Sequence, residues 1–511
     1  MSEFAAAGEA PLRRGMITAT VALASILQTL DNTIANVALP HMQSALSATQ
    51  DQMAWVLTSY IVAAAIMMPL TGWLAERFGR KRLFILSVAA FTITSGLCGI
   101  SQTLTEIVLF RFLQGLAGAA LVPMSQAVLF DINPPENHGK AMALWAQGTV
   151  LGPMVGPILG GWLTDNYSWR WVFYINLPLG ILTFLGMVAF LPNDKARHAQ
   201  FDFFGFALLS VAVAAFQLVL DRGPIKDWFG SREIWIEAVT AGLAFYMFVV
   251  HSATSRQPFI PLLLFKDRNF IIGSVFIFVV GIVLFATLAL LPTMLQSLMN
   301  YPVYDAGLLV APRSVGTFAA MMIAGKLVGR VDSRMLIGAG FLITAVSLWQ
   351  MTRFNLLMDG TPVFWSGIVQ GFGTGMAYVP MAAMTFATLV PELRNQGTAM
   401  FSLMRNIGSS IGISVVQALL ISNTQVVHST LAERITPFNL AARDPHIAHQ
   451  INSAAGMAAL NAKLTVQATM VAYLDDFYFM LITTLLTLPL LLLVRPAGKR
   501  ADNDVPHIVV E

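Results

Sequence analysis

The sequence predicts an all-α integral membrane protein with fourteen spans, two related six-helix bundles with two extra helices between them, and both termini in the cytoplasm. Three observations predict it. The 511 residues are 56% hydrophobic and only 11% charged, with a mean hydropathy of +0.69, whereas a soluble domain carries about 25% charged residues. Apolar stretches of about 20 residues, the length needed to cross a hydrocarbon core, recur along the whole chain. Sequence patterns from the first half also return in the second, the mark of a duplicated transporter-like architecture.

The first bundle, expected over 16–191 after a cytoplasmic tail of 1–15, contains apolar runs at 16–39, 53–72, 83–100, 106–129, 141–163 and 171–191. Arg13 and Arg14 resemble the flank of a signal peptide, but the first run is far longer than a signal h-region, so it reads as a retained helix. The linker region 192–269 holds two further runs, 203–220 and 234–252. The second bundle, 270–494, contains runs at 270–295, 306–328, 336–352, 363–388, 399–422 and 473–494, followed by a tail of 495–511. A long polar segment, 423–472, is expected outside the membrane; it holds Pro437, Pro445 and a helix-compatible stretch over 447–469. Most of the 30 Lys and Arg residues fall on the termini and the even-numbered loops, and this bias places those segments in the cytoplasm.

Repeats are visible residue by residue. Gln114-Gly115-Leu116-Ala117-Gly118 with Val122-Pro123-Met124 returns as Gln370-Gly371-Phe372-Gly373-Thr374-Gly375 with Val379-Pro380-Met381. Gly72-Trp73-Leu74-Ala75-Glu76-Arg77 is echoed by Gly325-Lys326-Leu327-Val328-Gly329-Arg330, and Gly139-Lys140-Ala141-Met142 by Gly397-Thr398-Ala399-Met400. Two bundles related in this way enclose a central site and can rock to expose it alternately.

Asp31 carries the most chemical information. It lies deep in the first apolar run, where a charge costs about 2.5 to 3.5 kcal/mol on insertion scales and therefore needs a partner, a proton or a function. Asp31 and Arg111, the latter in the fourth run, sit at comparable depths below the external ends of their helices. If the two face each other, the arginine favours the carboxylate and desolvation favours the proton, so an arriving substrate can tip the balance. A static ion pair gluing two helices is the competing interpretation. Asn32, Thr33 and Asn36 offer oxygens for sodium as an alternative coupling ion.

Other candidates follow from position. Gln28, Asn32, Asn36, Gln114 and Arg405 are polar groups in the spans and candidates for the substrate cavity, and Arg313 is a second intramembrane cation in the later half. Gly72, Glu76, Arg77, Gly79 and Arg80, with Asp131 at the end of the fourth run, are read as a cytoplasmic gate, while Lys81 and Arg82 equally suit a positive-inside anchor. Gly148, Gly152, Gly156 and Gly160 are spaced four apart on one helix face, which permits close approach of a neighbouring helix, and Pro153 and Pro157 add bending. Asp475 and Asp476 are expected at the external start of the last span, where water and a helix N-terminus suffice to accommodate them.

Several motifs are set aside. Gly408-Ser409-Ser410-Ile411-Gly412 formally matches a hydrolase nucleophile elbow but lies inside an apolar run without a strand. Gly325-Lys326-Leu327 lacks the upstream glycine and the hydroxyl residue of a phosphate loop. His446 and His449 stand without other ligands, so no metal is expected. The single Cys98 excludes an intrachain disulfide, and a net charge of +3 gives no basis for a nucleic-acid partner. No cofactor is expected; the driving force is an ion gradient.

Gly72 through Arg82 resembles the loop-two signature of the major facilitator superfamily, with Glu76 where aspartate is usual. Arg111 through Gly118 is similar to its fourth-helix arginine motif, and Gly152-Pro153-Met154-Val155-Gly156-Pro157-Ile158-Leu159-Gly160-Gly161 to its antiporter motif. Fourteen spans, the Asp31 motif and Trp169-Arg170-Trp171-Val172-Phe173-Tyr174-Ile175-Asn176-Leu177-Pro178 narrow the resemblance to the fourteen-helix drug:proton antiporters of the EmrB/QacA type. Leu220-Asp221-Arg222-Gly223, Asp227-Trp228-Phe229 and Leu264 through Phe270 lean towards the EmrB side. The resemblance implies a bacterial inner-membrane exporter of lipophilic or amphipathic drugs, coupled to protons and working with a periplasmic membrane-fusion adaptor and an outer-membrane channel. Export of one endogenous lipid-like metabolite or siderophore is the alternative within transport; a membrane-embedded enzyme or sensor is the alternative outside it.

Overall fold

A computed structural model describes residues 11–134, 137–193, 201–224, 226–255, 258–390, 393–433 and 453–494. Within them, fourteen helical spans follow one another in alternating direction. Spans 1 to 3 are Pro11–Ala45, Gln50–Phe78 and Arg80–Ile100; span 4 is Leu104–Gly118 continued by Leu121–Ile132; span 5 is His138–Asn166; and span 6 is Trp171–Tyr174 continued by Asn176–Phe190. The inserted pair is span 7, Phe203–Arg222, and span 8, Arg232–Thr254. Span 9 is Arg268–Ser297, span 10 is Val303–Val310 continued by Pro312–Leu327, and spans 11 to 13 are Ser333–Met351, Thr361–Ala387 and Arg394–Glu433. Span 14 is Ala454–Thr487, ending in a 3-10 turn at Leu488–Leu493. Twelve of these are long and apolar enough to cross a membrane. The other two, spans 1 and 12, have the length but carry Gln28, Asp31 and Asn32, or Gln370 among four glycines.

Spans 4, 6 and 10 are each broken where the sequence suggests one helix. Pro123, Pro178 and Pro312 lie just beyond the breaks, and each lacks the N–H that would bond the carbonyl four residues earlier. The last two spans depart further from the expected limits. Span 13 continues to Glu433 and span 14 begins at Ala454, so much of the expected external segment is a continuation of two membrane helices. Their extended ends are joined by a His428 to Asn461 hydrogen bond of 3.0 Å. Pro437, Pro445, His446 and His449 lie outside the described residues.

An even number of spans puts the described beginnings and ends of the chain at one end of the molecule, here called the termini face. Spans 1 to 6 pack mainly on one another, as do spans 9 to 14. The two groups meet where span 5 packs on span 10 and span 2 on span 13. At both seams glycine brings backbones close near the termini face: a Cβ added to Gly72 lies 3.0 Å from the Gln396 side chain, one added to Gly325 lies 2.6 Å from Ala143, and one added to Gly139 lies 2.7 Å from Val328. Phe130 and Phe386, 5.0 Å apart, plug the space between the seams.

The repeated turn after spans 2 and 10 uses the same backbone device. Gly79 and Gly329 both adopt φ of +84°, a conformation that L side chains rarely accept. Gly79 follows Gly72 by seven residues and Gly329 follows Gly325 by four, so the second copy is three residues shorter. The structurally equivalent pairs are therefore Gly79-Arg80 and Gly329-Arg330, rather than Arg77 with Arg330 as the unaligned repeat suggests.

The inserted pair is not peripheral. Span 7 packs on span 2 and on span 13, covering one inter-bundle seam from outside, and Ser414 donates to the Leu220 carbonyl at 2.6 Å. At its termini-face end Asp202 caps span 7 through Gly205 N–H at 2.9 Å, and also accepts from Phe259 N–H at 3.0 Å and meets His251 Nε2 at 2.9 Å. Burial pushes the Asp202 carboxyl up, but these three hydrogen bonds outweigh it and hold the group below the usual carboxylate range.

Candidate functional site

Asp31 and Arg111 meet. The arginine Nη1 donates to Asp31 Oδ2 at 2.6 Å, with side-chain exposures of 1% and 0%. Two amides complete the carboxylate's surroundings: Gln114 Nε2 donates to Oδ1 at 2.9 Å and Asn176 Nδ2 to the same oxygen at 2.8 Å. Three N–H donors thus converge on this one side chain. Arg111 is fixed in turn by the Val56 carbonyl at 3.2 Å and Gln114 Oε1 at 2.9 Å, and its guanidinium lies 4.3 Å from the Tyr60 ring centre.

The backbone explains how four spans converge here. Gly115 and Gly118 on span 4 let it approach span 2, since a Cβ at Gly115 falls 2.3 Å from the Tyr60 carbonyl. The break after Tyr174 turns Asn176 inwards, where it donates also to Ser95 Oγ at 3.0 Å, and Ser95 donates to the Phe173 carbonyl at 2.9 Å. The glycines of span 5 pack against span 1 on the Asp31 level: a Cβ on Gly152 lies 2.4 Å from Thr29 Oγ1, and one on Gly156 lies 2.2 Å from Thr33 Oγ1. Gly148 meets Ala22 and Ile26, and Gly160 is also buried. Pro153 is half-buried on the same helix, and Pro157 belongs to it.

The remaining candidates are distributed unevenly. Gln28 is buried and, with the half-buried Asn32, lies beside the Tyr60 hydroxyl. Asn36 is exposed and donates to the Asn32 carbonyl of its own helix at 3.1 Å, so it does not join the cluster. Arg405 is half-buried beside the Tyr378 hydroxyl, and that hydroxyl accepts from Gln126 Nε2 at 3.3 Å across the two bundles.

At the termini face Asp131 receives Arg80, as its position suggests, and also Arg394 of span 13 at 3.0 Å. Glu76 accepts from Gln396 Nε2 at 3.3 Å. Both carboxylates of the first bundle are thus joined to the second bundle, a link that loop-two residues alone do not reveal. Arg77 lies in the last turn of span 2 and Gly79 forms the turn behind it.

Asp475 and Asp476 are not at a helix start. Both lie well inside span 14, and Asp476 is fully buried with neither oxygen hydrogen-bonded among the described residues. The sequence signal for the extension was the helix-compatible stretch before Tyr473. The formal elbow motif is packing: a Cβ on Gly408 falls 2.2 Å from the Phe278 carbonyl, and one on Gly412 falls 2.7 Å from Ile282. Among the described residues no cluster of three or more His, Cys, Asp or Glu is arranged to hold a metal.

The sequence model of the Major Facilitator Superfamily matches residues 21–413. The chain belongs to the major facilitator superfamily. Curated relatives in this superfamily include the Escherichia coli K12 multidrug export protein EmrB, 36% identical over 427 residues covering 83% of each chain. The Neisseria gonorrhoeae fatty acid resistance protein FarB is 34% identical over 490 residues, covering 94% of this chain and 96% of its own. Among solved structures, the proton:xylose symporter XylE aligns over 92% of this chain and 95% of its own with a TM-score of 0.61 at 13% identity. The human organic anion transporter MFSD10 aligns over 92% and 99% with a TM-score of 0.59 at 12% identity. These two share the fold. This major facilitator superfamily member is a multi-pass inner-membrane transporter and not an enzyme.

Proposed function

We propose that the chain is a proton-coupled antiporter that exports lipophilic or amphipathic drugs across the inner membrane by alternating access, with the termini face in the cytoplasm. The EmrB relatives support the cargo class, and the excess of Lys and Arg on the termini-face loops supports the orientation. The observation that carries the coupling is Asp31, a fully buried carboxylate held by Arg111, Gln114 and Asn176.

Protonation of Asp31 removes the counter-charge of Arg111 and leaves two amide donors facing a neutral acid. The guanidinium, already shared with Val56 and the Tyr60 ring, is then free to move, and with it the contact between spans 1 and 4. Each proton moving inwards contributes about 2.3 kcal/mol per 100 mV of membrane potential. Asp131 with Arg80 and Arg394, and Glu76 with Gln396, act as the cytoplasmic gate, closed while the opposite face is open. Gln28, Asn32 and Arg405 contribute polar contacts to the cargo cavity, and a periplasmic adaptor with an outer-membrane channel receives the cargo.

Proteoliposomes test this reading. Drug accumulation is expected to follow an imposed pH gradient in the wild type and to lose that dependence in Asp31→Asn. Gradient-driven transport by Asp31→Asn at the wild-type proton stoichiometry rejects the coupling assignment.

A further inference from the structure

The two halves hold their buried arginines differently. In the first, Gln114 of span 4 donates to Asp31 of span 1; in the second, Gln370 of span 12 donates to Thr287 of span 9 at 3.0 Å. Both residue pairs are related by the same offset, 256 positions, so Thr287 occupies the place of Asp31 and Gln370 that of Gln114. The counterpart of Arg111 by that offset is Gly367. The second half nevertheless has its arginine: Arg313 of span 10 lies against this glycine, with its Cβ 3.7 Å from a Cβ built on Gly367.

Arg313 is 4% exposed, and its one hydrogen bond among the described residues runs from Nη2 to the Leu284 carbonyl at 3.4 Å. Its Nε and Nη1 are buried without a partner among those residues, as is Gln370 Oε1. Leu284 and Thr287 are three residues apart on span 9, so both polar side chains are anchored to one turn of that helix. Asp476, a buried acidic side chain of the same bundle, has no hydrogen-bond partner among the described residues and so does not pair with Arg313. A buried guanidinium left without an anion is costly, and a guanidinium presents its N–H groups in the fork that a carboxylate matches.

We propose that Arg313, with the amide of Gln370, binds a carboxylate supplied by the cargo, in the place that Asp31 fills in the other half. The site therefore takes amphipathic acids: an apolar body carrying one carboxylate. Gln370, Thr374 and Tyr378 are spaced four apart on one face of span 12, and Tyr378 accepts from Gln126 of the first bundle, so this face is directed at the first bundle. Span 10 is also the helix that packs on span 5, so separation of that seam opens a route to Arg313. Gln370 has a second N–H to offer while the first stays on Thr287. This inference deepens the proposed export function by naming a cargo class.

Binding to the purified full-length protein in nanodiscs tests it without relying on transport. The probes are 4-butylbenzoate and the neutral 4-butylbenzamide, matched in shape and different in charge. The wild type is expected to prefer the acid by about tenfold or more, the range of one charge-assisted hydrogen bond. Arg313→Gln is expected to reduce the preference to within about twofold with little change for the amide. Thr287→Asp supplies an internal carboxylate and is expected to do the same while retaining a folded, thermally stable protein. Equal binding of acid and amide by the wild type, or a preference that survives in Arg313→Gln, overturns the proposal. So does a preference that disappears in Arg405→Gln while Arg313→Gln retains it. Loss of gradient-driven export of neutral or cationic drugs in the wild type is a separate result that removes the export reading and leaves this binding test standing.

Discussion

Asp31→Asn alters one atom of the buried cluster and exposes the difference between a proton switch and a helix clamp. The amide keeps the side chain's volume and one acceptor oxygen, but its NH2 replaces an oxygen that accepts from Arg111 or from Gln114 and Asn176. Arg111, 1% exposed, loses its counter-charge and keeps Val56, Gln114 and the Tyr60 and Phe173 rings. Breaking one partner of a buried pair costs about 3 to 5 kcal/mol; the retained acceptor offsets about 1 kcal/mol of that, leaving about 3 kcal/mol. With an unfolding entropy of about 2.1 cal/mol/K per residue, a chain of this length loses about 3 °C in Tm. Arg111→Gln in the same chain removes the stranded charge, so the double variant is expected to lie about 2 kcal/mol above the sum of the two single losses. Thermal unfolding in nanodiscs, followed by tryptophan fluorescence, measures the cycle; proton release on drug addition to the same samples measures coupling. Additive losses in the cycle refute the energetic account of the pair. Restored stability together with restored proton release in the double variant refutes the switch and leaves the clamp.

Four further outcomes follow from the geometry. Asp131→Ala separates Arg80 from Arg394, and the distance between spin labels at positions 82 and 330 is expected to broaden towards longer values. Gly156→Ala sets a Cβ 2.2 Å from Thr33 Oγ1 and is expected to destabilise by about 1 to 3 kcal/mol; Thr33→Ala, which removes the obstructing oxygen, is expected to restore most of the Tm in the double variant. Asp202, with its carboxyl held below the usual range, stabilises the fold above the unfolded carboxylate pKa of about 4, and this contribution disappears as pH falls through the lower folded value. The Tm difference between wild type and Asp202→Asn is therefore expected to be positive at pH 6 and to shrink steadily below pH 4. Asp476→Leu replaces a fully buried polar side chain lacking hydrogen-bond partners among the described residues with an apolar one of similar size and is expected to raise stability by about 1 to 3 kcal/mol; a lowered Tm contradicts that expectation.

Hydrophobic periodicity made the spans legible because lipid demands long apolar helices, and the depth argument brought Asp31 to Arg111 because both are single charges in such helices. The same argument did not reach Asn176. Its neighbour Pro178 breaks span 6 and turns the amide inwards, a rotation about the helix axis that depth along the chain does not encode. Arg394 was hidden for a different reason. It lies 263 residues from Asp131, and a contact between bundles depends on how they sit together, which neither repeat specifies alone. The repeat of Gly139-Lys140-Ala141-Met142 as Gly397-Thr398-Ala399-Met400 marks the flanking segments as counterparts, yet counterparts in a duplicated fold need not touch. Asp475 and Asp476 fall at a helix start in the sequence because the polar segment 423–472 reads as an external connection, whereas span 14 already begins at Ala454. The helix continues beyond its apolar portion, since water-facing turns require propensity and pairing but not hydrophobicity.

Whether a proton can drive the gate depends on whether its energy is commensurate with the contacts that close it. Asp131, Arg80 and Arg394 retain 11%, 16% and 17% side-chain exposure, so the network is neither fully screened nor deeply buried. Exposed pairs contribute about 0 to 1 kcal/mol each, and the partial burial and shared carboxylate raise the two pairs together to about 2 or 3 kcal/mol. The Glu76 to Gln396 hydrogen bond adds about 1 kcal/mol. One proton crossing a potential of 100 to 150 mV supplies about 2.3 to 3.5 kcal/mol, the same scale. A fully buried latch would resist opening by that input, and a fully exposed one would not hold the face closed while the other opened. The intermediate burial of Asp131 is thus on the scale that the proposed gate requires, and under that proposal the energetic demand of the cycle falls on the Asp31 site.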